Sequence, residues 1–390
     1  MQRRLIALLA VLAMVMAACT TAAEDTPTTG GDGDTPATTG DGTAPDDGTT
    51  DTTGPAVLPQ DEGGVLAAVQ DRGAVNCGVN DAVPGFGFST AEGEFAGFDI
   101  DFCKALAVAL FGDVEAVNYQ PLTAQQRFTA LQSGEIDVLI RNTTWTATRD
   151  GSEGATFLHT TFYDGQGMMV TADSGIESIE DMENASVCVL SGTTTELNLA
   201  TRFDSAGIPY TPQTFEDNET LQSAFAAGQC DGWTSDKSQL AGVRSNYPDS
   251  QGGPESLVIL EETFSKEPLG PAVSDGDSQW AQIVDWVVIA TILGEELGID
   301  STNVDSFADT EDAEIRRFLG LEITDEEGNT SIFDPGLGLE PGWAGDVIRE
   351  VGNYGEIFDR NLGPDTPLGL DRGLNALWTD GGLLYGPPYR

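Results

Sequence analysis

The chain has 390 residues, with 64 acidic side chains against 17 basic ones and a single histidine, for a formal net charge of −47. At roughly 100 to 200 residues per domain that length allows two domains or two lobes. The negative excess repels phosphate backbones and anionic headgroups, which argues against nucleic acid or an anionic membrane surface as partner; with His159 the only histidine, a His-rich metal site is excluded and any Ser-His-Asp or Cys-His mechanism would hang on one residue.

The chain begins Met-Gln-Arg-Arg, continues in the apolar run Leu5 to Met16, and reaches Ala17-Ala18-Cys19. A basic start, an apolar stretch and small residues predict an export signal, and the run falls short of the about 20 apolar residues of a membrane span. Cys19 after Ala-Ala resembles the lipobox of bacterial lipoproteins, so lipidation at Cys19 is expected, with plain cleavage near Ala18 as the alternative. Residues 20–63 carry ten acids and no base among Thr, Gly, Pro and Ala, a composition that predicts a disordered tether. Such a tether would hold a folded body roughly 35 to 40 Å from its anchor. The remaining residues 64–390 hold 54 acids and 15 bases, a net charge of −39. That suits a surface kept soluble in salty surroundings, or simply an acidic compositional habit.

From Gly64 onward short β-like runs alternate with helical ones, the pattern of parallel strands joined by crossover helices. Predicted strands at Ala74–Val79, Val117–Gln120 and Ile136–Arg141 alternate with helices at Phe98–Phe111 and Thr123–Ser133, the latter capped by Thr123 and stopped at Gly134. A second series starts at Met168–Val170. It continues with strands Ser186–Leu190, Tyr210–Thr214 and Gly232–Thr234, and helices Glu196–Phe203, Thr220–Ala227 and Lys237–Arg244. The apolar helix Trp280–Leu297 is interrupted by Asp285, Glu295 and Glu296 and reads as buried in protein. Trp343, Val347, Ile348, Tyr354, Ile357 and Phe358 mark amphipathic turns in the last 90 residues, so these too are expected to fold.

With Cys19 lipidated, Cys77, Cys103, Cys188 and Cys230 remain, an even number in an exported chain. Of three possible pairings, Cys77 with Cys103 and Cys188 with Cys230 is favoured, because each then lies within one lobe. Metal ligation is the rival, weakened by long spacings and the lack of histidines.

Chemistry-bearing residues collect where strands end. Ile136–Arg141 runs into Asn142-Thr143-Thr144-Trp145-Thr146-Ala147-Thr148-Arg149, Ser186–Leu190 into Ser191-Gly192-Thr193-Thr194-Thr195-Glu196, and Gly232–Thr234 into Ser235-Asp236. In open α/β sheets ligands bind at the carboxyl ends of strands. One guanidinium, one set of helix-start amides and one carboxylate complement a zwitterion: Arg149 for an α-carboxylate and Asp236 for an α-ammonium. Taken singly, each has a plainer reading as a helix cap or a surface charge. The Ser-Gly-Thr-Thr-Thr turn lacks the lysine and spaced glycines of a triphosphate loop.

Eight stretches carry a family resemblance. They are Cys77-Gly-Val-Asn80, Gly97 to Cys103, Arg127 to Asp137, Arg141 to Thr146, Gly192 to Ala200, Lys266 to Pro271, Val351 to Phe358 and Arg372 to Trp378. Together they resemble the general L-amino-acid substrate-binding proteins of ABC transporters (extracellular solute-binding proteins, family 3), over essentially all of 64–390. The resemblance implies a type II periplasmic-binding-protein-like α/β fold of two lobes and two hinge crossings. The layout it suggests is lobe 1 at 64–166 and 267–390, with the tail as an extension, and lobe 2 at 167–266, with crossings near Asp164 to Gly167 and Lys266 to Pro271. It implies a monomer that needs no cofactor, catalyses nothing, and passes L-amino acids to a membrane permease. Residue by residue it places Asn142, Thr144, Arg149, Thr194 and Asp236 around the ligand backbone and Arg127 near its side chain. Asn80 stands where some relatives carry a ligand-contacting Asp. The lipoprotein signal departs from the family, whose members are often free in the periplasm. Two rivals use the same fold. A dehydratase would need an acid-base group in the cleft, and a sensor would be expected to continue past Arg390 into a membrane helix.

Overall fold

A computed structural model describes residues 64–325 and 327–390; the signal segment, Cys19 and the 20–63 stretch lie outside the described residues. In chain order, α1 (Val65–Arg72) and β1 (Val75–Val79) are followed by a small antiparallel sheet of β2 (Ala82–Val83), β3 (Gly87–Ser89) and β4 (Phe95–Ala96). Next come α2 (Phe98–Phe111), β5 (Val117–Pro121), α3 (Arg127–Gln132), β6 (Val138–Leu139), α4 (Ala147–Ser152) and β7 (Ala155–Phe157). After β8 (Phe162–Asp164) the chain builds β9 (Gln166–Thr171), β10 (Ser186–Leu190), α5 (Thr194–Ala206), β11 (Thr211–Phe215), α6 (Asn218–Ala226), β12 (Gly232–Asp236), α7 (Lys237–Ser245) and β13 (Leu257–Ile259). It returns through β14 (Glu267–Leu269) and β15 (Ala272–Ser274) to α8 (Ser278–Glu296) and α9 (Ala313–Phe318). The hairpin β16 (Glu322–Thr324) and β17 (Thr330–Ile332) precedes α10 (Trp343–Glu350) and α11 (Tyr354–Asn361).

Two five-stranded sheets result, ordered β5-β1-β6-β15-β7 and β11-β10-β12-β9-β13. In each, four strands point one way and one is reversed. The reversed strands, β15 and β9, correct the expectation of all-parallel sheets. Each arrives directly from the other sheet without a crossover helix, and only a crossover returns a strand in the parallel sense. Where the chain passes between the sheets, β8 and β14 pair antiparallel, with Asp164 opposite Glu267 and Phe162 opposite Leu269.

Two elements are shorter than the sequence suggested. Thr123 and Gln126 bond reciprocally, Thr123 Oγ1 accepting from the Gln126 amide and Gln126 Oε1 from the Thr123 amide, which holds a turn and delays α3 to Arg127. The ladder of β6 ends at Leu139, and three residues later Asn142 takes φ +28°, a sparsely populated region for a non-glycine residue, with its amide held 2.7 Å from Asp99 Oδ2.

Burial alternates along the strands with period two. In the second sheet Met169, Cys188, Leu190 and Trp233 face one cluster, while Met168, Val170, Val187 and Val189 face the other, with Leu199 and Phe203 of α5. In the first, Val75, Cys77, Val79 and Val138 join a large cluster with α2, α8, α10 and α11 that includes Trp280, Trp343, Tyr354 and Phe358. Leu131, Leu139 and Phe157 fill the opposite face. Trp280, Ile283, Val284 and Val287 of α8 are buried, as the sequence suggested, and among the described residues no helix is long and apolar enough to cross a membrane. The disulfides are Cys77–Cys103, tying β1 to α2, and Cys188–Cys230, tying β10 to the approach to β12. This is the expected pairing.

Candidate ligand-binding cleft

The carboxyl ends of β1, β6, β10 and β12 meet between the two sheets. β1 delivers Asn80, β6 delivers Arg141 and Asn142, β10 runs into the start of α5, and β12 ends on Asp236. Thr193 caps α5 by accepting from the Glu196 amide at 3.0 Å, which leaves the first amides of the helix directed out of its N-terminus. Asn80, Arg127, Asn142, Thr144, Thr194 and Asp236 all line one narrow cavity of about 20 Å³. Arg149 stands apart from these six. It lines a neighbouring cavity of about 500 Å³, and Thr193 and Thr194 border both.

Hydrogen bonds cross between the lobes at several points. Asn142 Nδ2 lies 3.4 Å from Asp236 Oδ2 and 3.4 Å from Gln239 Oε1, the hydroxyls of Thr144 and Thr194 are 3.3 Å apart, and Arg127 Nη2 donates to the Gly192 carbonyl at 3.3 Å. Asn142 and Thr144 are braced from behind. Asn142 Oδ1 accepts from Asn80 at 2.7 Å, the Thr144 carbonyl accepts from Arg149 Nη1 at 2.9 Å, and Thr144 bridges to Leu269 on β14.

The walls carry opposite charge. Arg127, Arg141 and Arg149 come from the first lobe and are buried; Asp236 faces them from the second, and Glu267 of the β8/β14 ribbon acts on Arg149, both carboxylates buried as well. Burial pulls Arg127 well below the usual guanidinium range, and the Arg149 and Arg141 charges add to the effect. Arg149 is lowered by burial, opposed by Glu267 and Asp236. Asp236 is pushed well above the usual carboxylate range, first by burial and then by Asp164 and Glu267. Asp236 Oδ1 and Arg127 Nε are buried with no hydrogen-bond partner. Orphaned polar atoms of this kind are costly unless something else meets them.

Glu267 escaped the sequence reading of the site. It accepts from Thr194 Oγ1 and Asn198 Nδ2, each at 2.8 Å, and so fixes the start of α5 from the β8/β14 ribbon. Asp99, Arg141 and Gln239 were missed likewise, although Asp99 and Arg141 lie within stretches that carried the family resemblance. His159 lines none of these cavities; its amide donates to Asp285 on α8 at 2.7 Å.

This fold, with polar groups converging between two sheets, is that of a two-lobed solute receptor. The chain belongs to the bacterial extracellular solute-binding proteins, family 3, whose profile matches residues 75–297, and it is therefore an extracytoplasmic protein. It is 50% identical to the general L-amino acid-binding periplasmic protein of Rhizobium johnstonii, over 83% of this chain and 92% of the relative. It is 46% identical to the glutamate/glutamine/aspartate/asparagine-binding protein of Rhodobacter capsulatus, over 83% of this chain and 93% of that one. A solved ABC transporter periplasmic binding protein from Brucella ovis, with glutathione bound, superposes with a TM-score of 0.78 at 46% identity, covering 83% of this chain and 99% of the other.

Proposed function

We propose that this protein binds L-amino acids between its lobes and delivers them to the permease of an ABC importer. The observation that carries the reading is the buried, unmet Asp236 oxygen in a cleft whose other wall holds three buried guanidiniums, Arg127, Arg141 and Arg149. A zwitterion answers both charges at once. Arg149, the Thr194 amide and Thr144 take the α-carboxylate by charge-assisted hydrogen bonds, and Asp236 with Asn142 takes the α-ammonium. The names of the Rhizobium and Rhodobacter relatives support an amino-acid ligand.

The narrow cavity has room for about one water molecule, so an amino acid requires the lobes to part. The β8/β14 ribbon serves as the hinge, with 64–166 and 267–390 on one side and 167–266 on the other, and ligand drives the rotation shut. The protein acts as a monomer, and lipid on Cys19 with the 20–63 stretch keeps it beside the permease. Membership of a solute-binding family supports a receptor and not a catalyst. Calorimetry on ligand-stripped protein across the twenty L-amino acids tests the reading. One-to-one binding of many of them, and loss of binding for the decarboxylated amines, is expected; amines that bind as well as their parents would overturn it. Cys19→Ala should release the protein from membranes, and a mass shift at the N-terminal peptide checks the lipid.

A further inference from the structure

The narrow cavity has two larger neighbours. On one flank lies the Arg149 cavity; on the other lies a cavity of about 240 Å³, and these two flanks share no lining residue. Arg141 and Asn80 line both the narrow cavity and the 240 Å³ one. If Arg149 and Asp236 hold the ligand's backbone groups, the substituent on its α-carbon is left with the Arg141 flank. Arg141 is 5% exposed, and Nε donates to the Leu122 carbonyl at 2.7 Å while Nη2 reaches Asn80 Oδ1 at 3.4 Å. Among the described residues its Nη1 finds no acceptor. Burial pulls its guanidinium down to about 10, against the charges of Asp99, Asp81 and Asp236. Further out the walls carry Asp81, Glu216, Asp217 and Glu219. An anionic end is therefore favoured beside Arg141 and disfavoured beyond it.

We infer that Arg141 reads the ligand's side chain, selecting those whose carbonyl or carboxylate oxygen reaches its guanidinium, such as glutamine and glutamate, over apolar side chains of equal length. This rests on the amino-acid reading above and names the ligand class within it. A site built around a hydrogen-bonding group rejects the analogue that lacks the partner, because a buried donor is then left unmet.

Calorimetry with alanine, glutamine and norleucine on ligand-stripped wild type, Arg141→Met and Arg141→Lys decides it. Wild type should bind glutamine at least about tenfold more tightly than norleucine, a conservative figure for one buried charged hydrogen bond. Arg141→Met should collapse the glutamine-to-alanine affinity ratio by about the same factor, whatever it does to alanine alone, and Arg141→Lys should restore part of it. Equal wild-type affinity for glutamine and norleucine, or an unchanged ratio in Arg141→Met, overturns the inference. Should Arg141→Met fail to fold by circular dichroism, the wild-type pair still decides. If none of the three ligands binds wild type, the amino-acid reading itself falls and the inference with it; if all three bind equally, only the inference falls.

Discussion

The two lobes share one strand order and differ in what surrounds it. The first sheet is backed by α2 and α8 and then by α10 and α11, so that Trp343, Val347, Tyr354 and Phe358 extend a single large core. The second sheet has two modest clusters, one on each face, and a disulfide. The cleft divides in the same way. The heavy lobe holds three buried guanidiniums, steadied by the carbonyls of Leu122 and Thr144 and, across the cleft, of Gly192. The lighter lobe brings a helix start and one carboxylate. Burying charge on either wall alone is expensive, and the walls offset each other where they meet across the cleft. The lobe with more core therefore carries the greater charge burden, and the lighter lobe is the one suited to move.

Removing the cationic wall gives the largest expected effect. Arg149→Ala should weaken every amino-acid ligand by a similar factor, on the order of 2 to 5 kcal/mol for truncating one partner of a desolvated charge pair. Asp236→Asn should do the same from the other lobe. Calorimetry that found either variant selective among ligands would move that residue from the backbone clamp to the side-chain region.

The disulfides sharpen the contrast in cores. Their sequence separations of 26 and 42 give, by the chain-entropy model, roughly 3.5 and 4 kcal/mol. Those similar energies act on unequal bodies of about 230 and about 100 residues under the proposed layout, and a smaller body shifts its melting temperature more per kcal/mol. Replacing Cys188 and Cys230 with Ser should lower the melting of the second lobe by about 15 °C or more, against about 10 °C for Cys77 and Cys103 in the first. Scanning calorimetry showing the reverse order would break the comparison.

Much of this organisation was legible in the sequence wherever the pattern was local. The bounds of α2 and β10 followed from periodicity, and the disulfides followed from assigning cysteines to lobes. Asn142, Thr144, Thr194 and Asp236 could be placed at strand ends because turn residues and caps announce themselves. The reversal of β9 and β15 was not legible, since period-two burial looks the same in either strand direction. Glu267 and Asp99 were missed for a related reason. A charged residue reads as solvated until the sheet that buries it is known, and both lie in contacts that span long stretches of chain. The small antiparallel sheet at Ala82–Ala96 has strands too short to give a periodic signal.

Closure can be probed without touching a charge. Gly192 sits in the left-handed region at φ +71°, and a Cβ there would come 2.8 Å from Gln125 Cγ of the opposite lobe. Gly192→Ala should cost about 1 to 2 kcal/mol, partly from backbone strain in both states and partly from a clash present only when the lobes meet. The strain lowers thermal stability and cancels from binding, while the clash lowers affinity, so both should fall. Lowered stability with unchanged affinity would mean that the Gln125 contact persists in the ligand-free protein.

The smallest expected effect concerns the heavy lobe and pH. Asp99 is buried, and desolvation raises its carboxyl to about 7 against the pull of the Asn142 amide and Arg141. A carboxyl that holds its proton more tightly when folded stabilises the fold below its unfolded value, about 3.9, and that contribution is lost as pH rises through the folded value. Between pH 6 and pH 7 the loss from this one group is about 1 kcal/mol. Asp99→Asn keeps an acceptor for the Asn142 amide and removes the proton equilibrium, so it should flatten the dependence of unfolding free energy on pH in that window. Under the proposed binding mode Asp236 in the lighter lobe should behave differently, because an α-ammonium beside it would favour the ionised form. Ligand binding near neutral pH should then release a proton from Asp236 while the Asp99 contribution stays, and calorimetry in buffers of different ionisation enthalpy separates the two. Proton uptake on binding, or none at all, would place the ammonium away from Asp236.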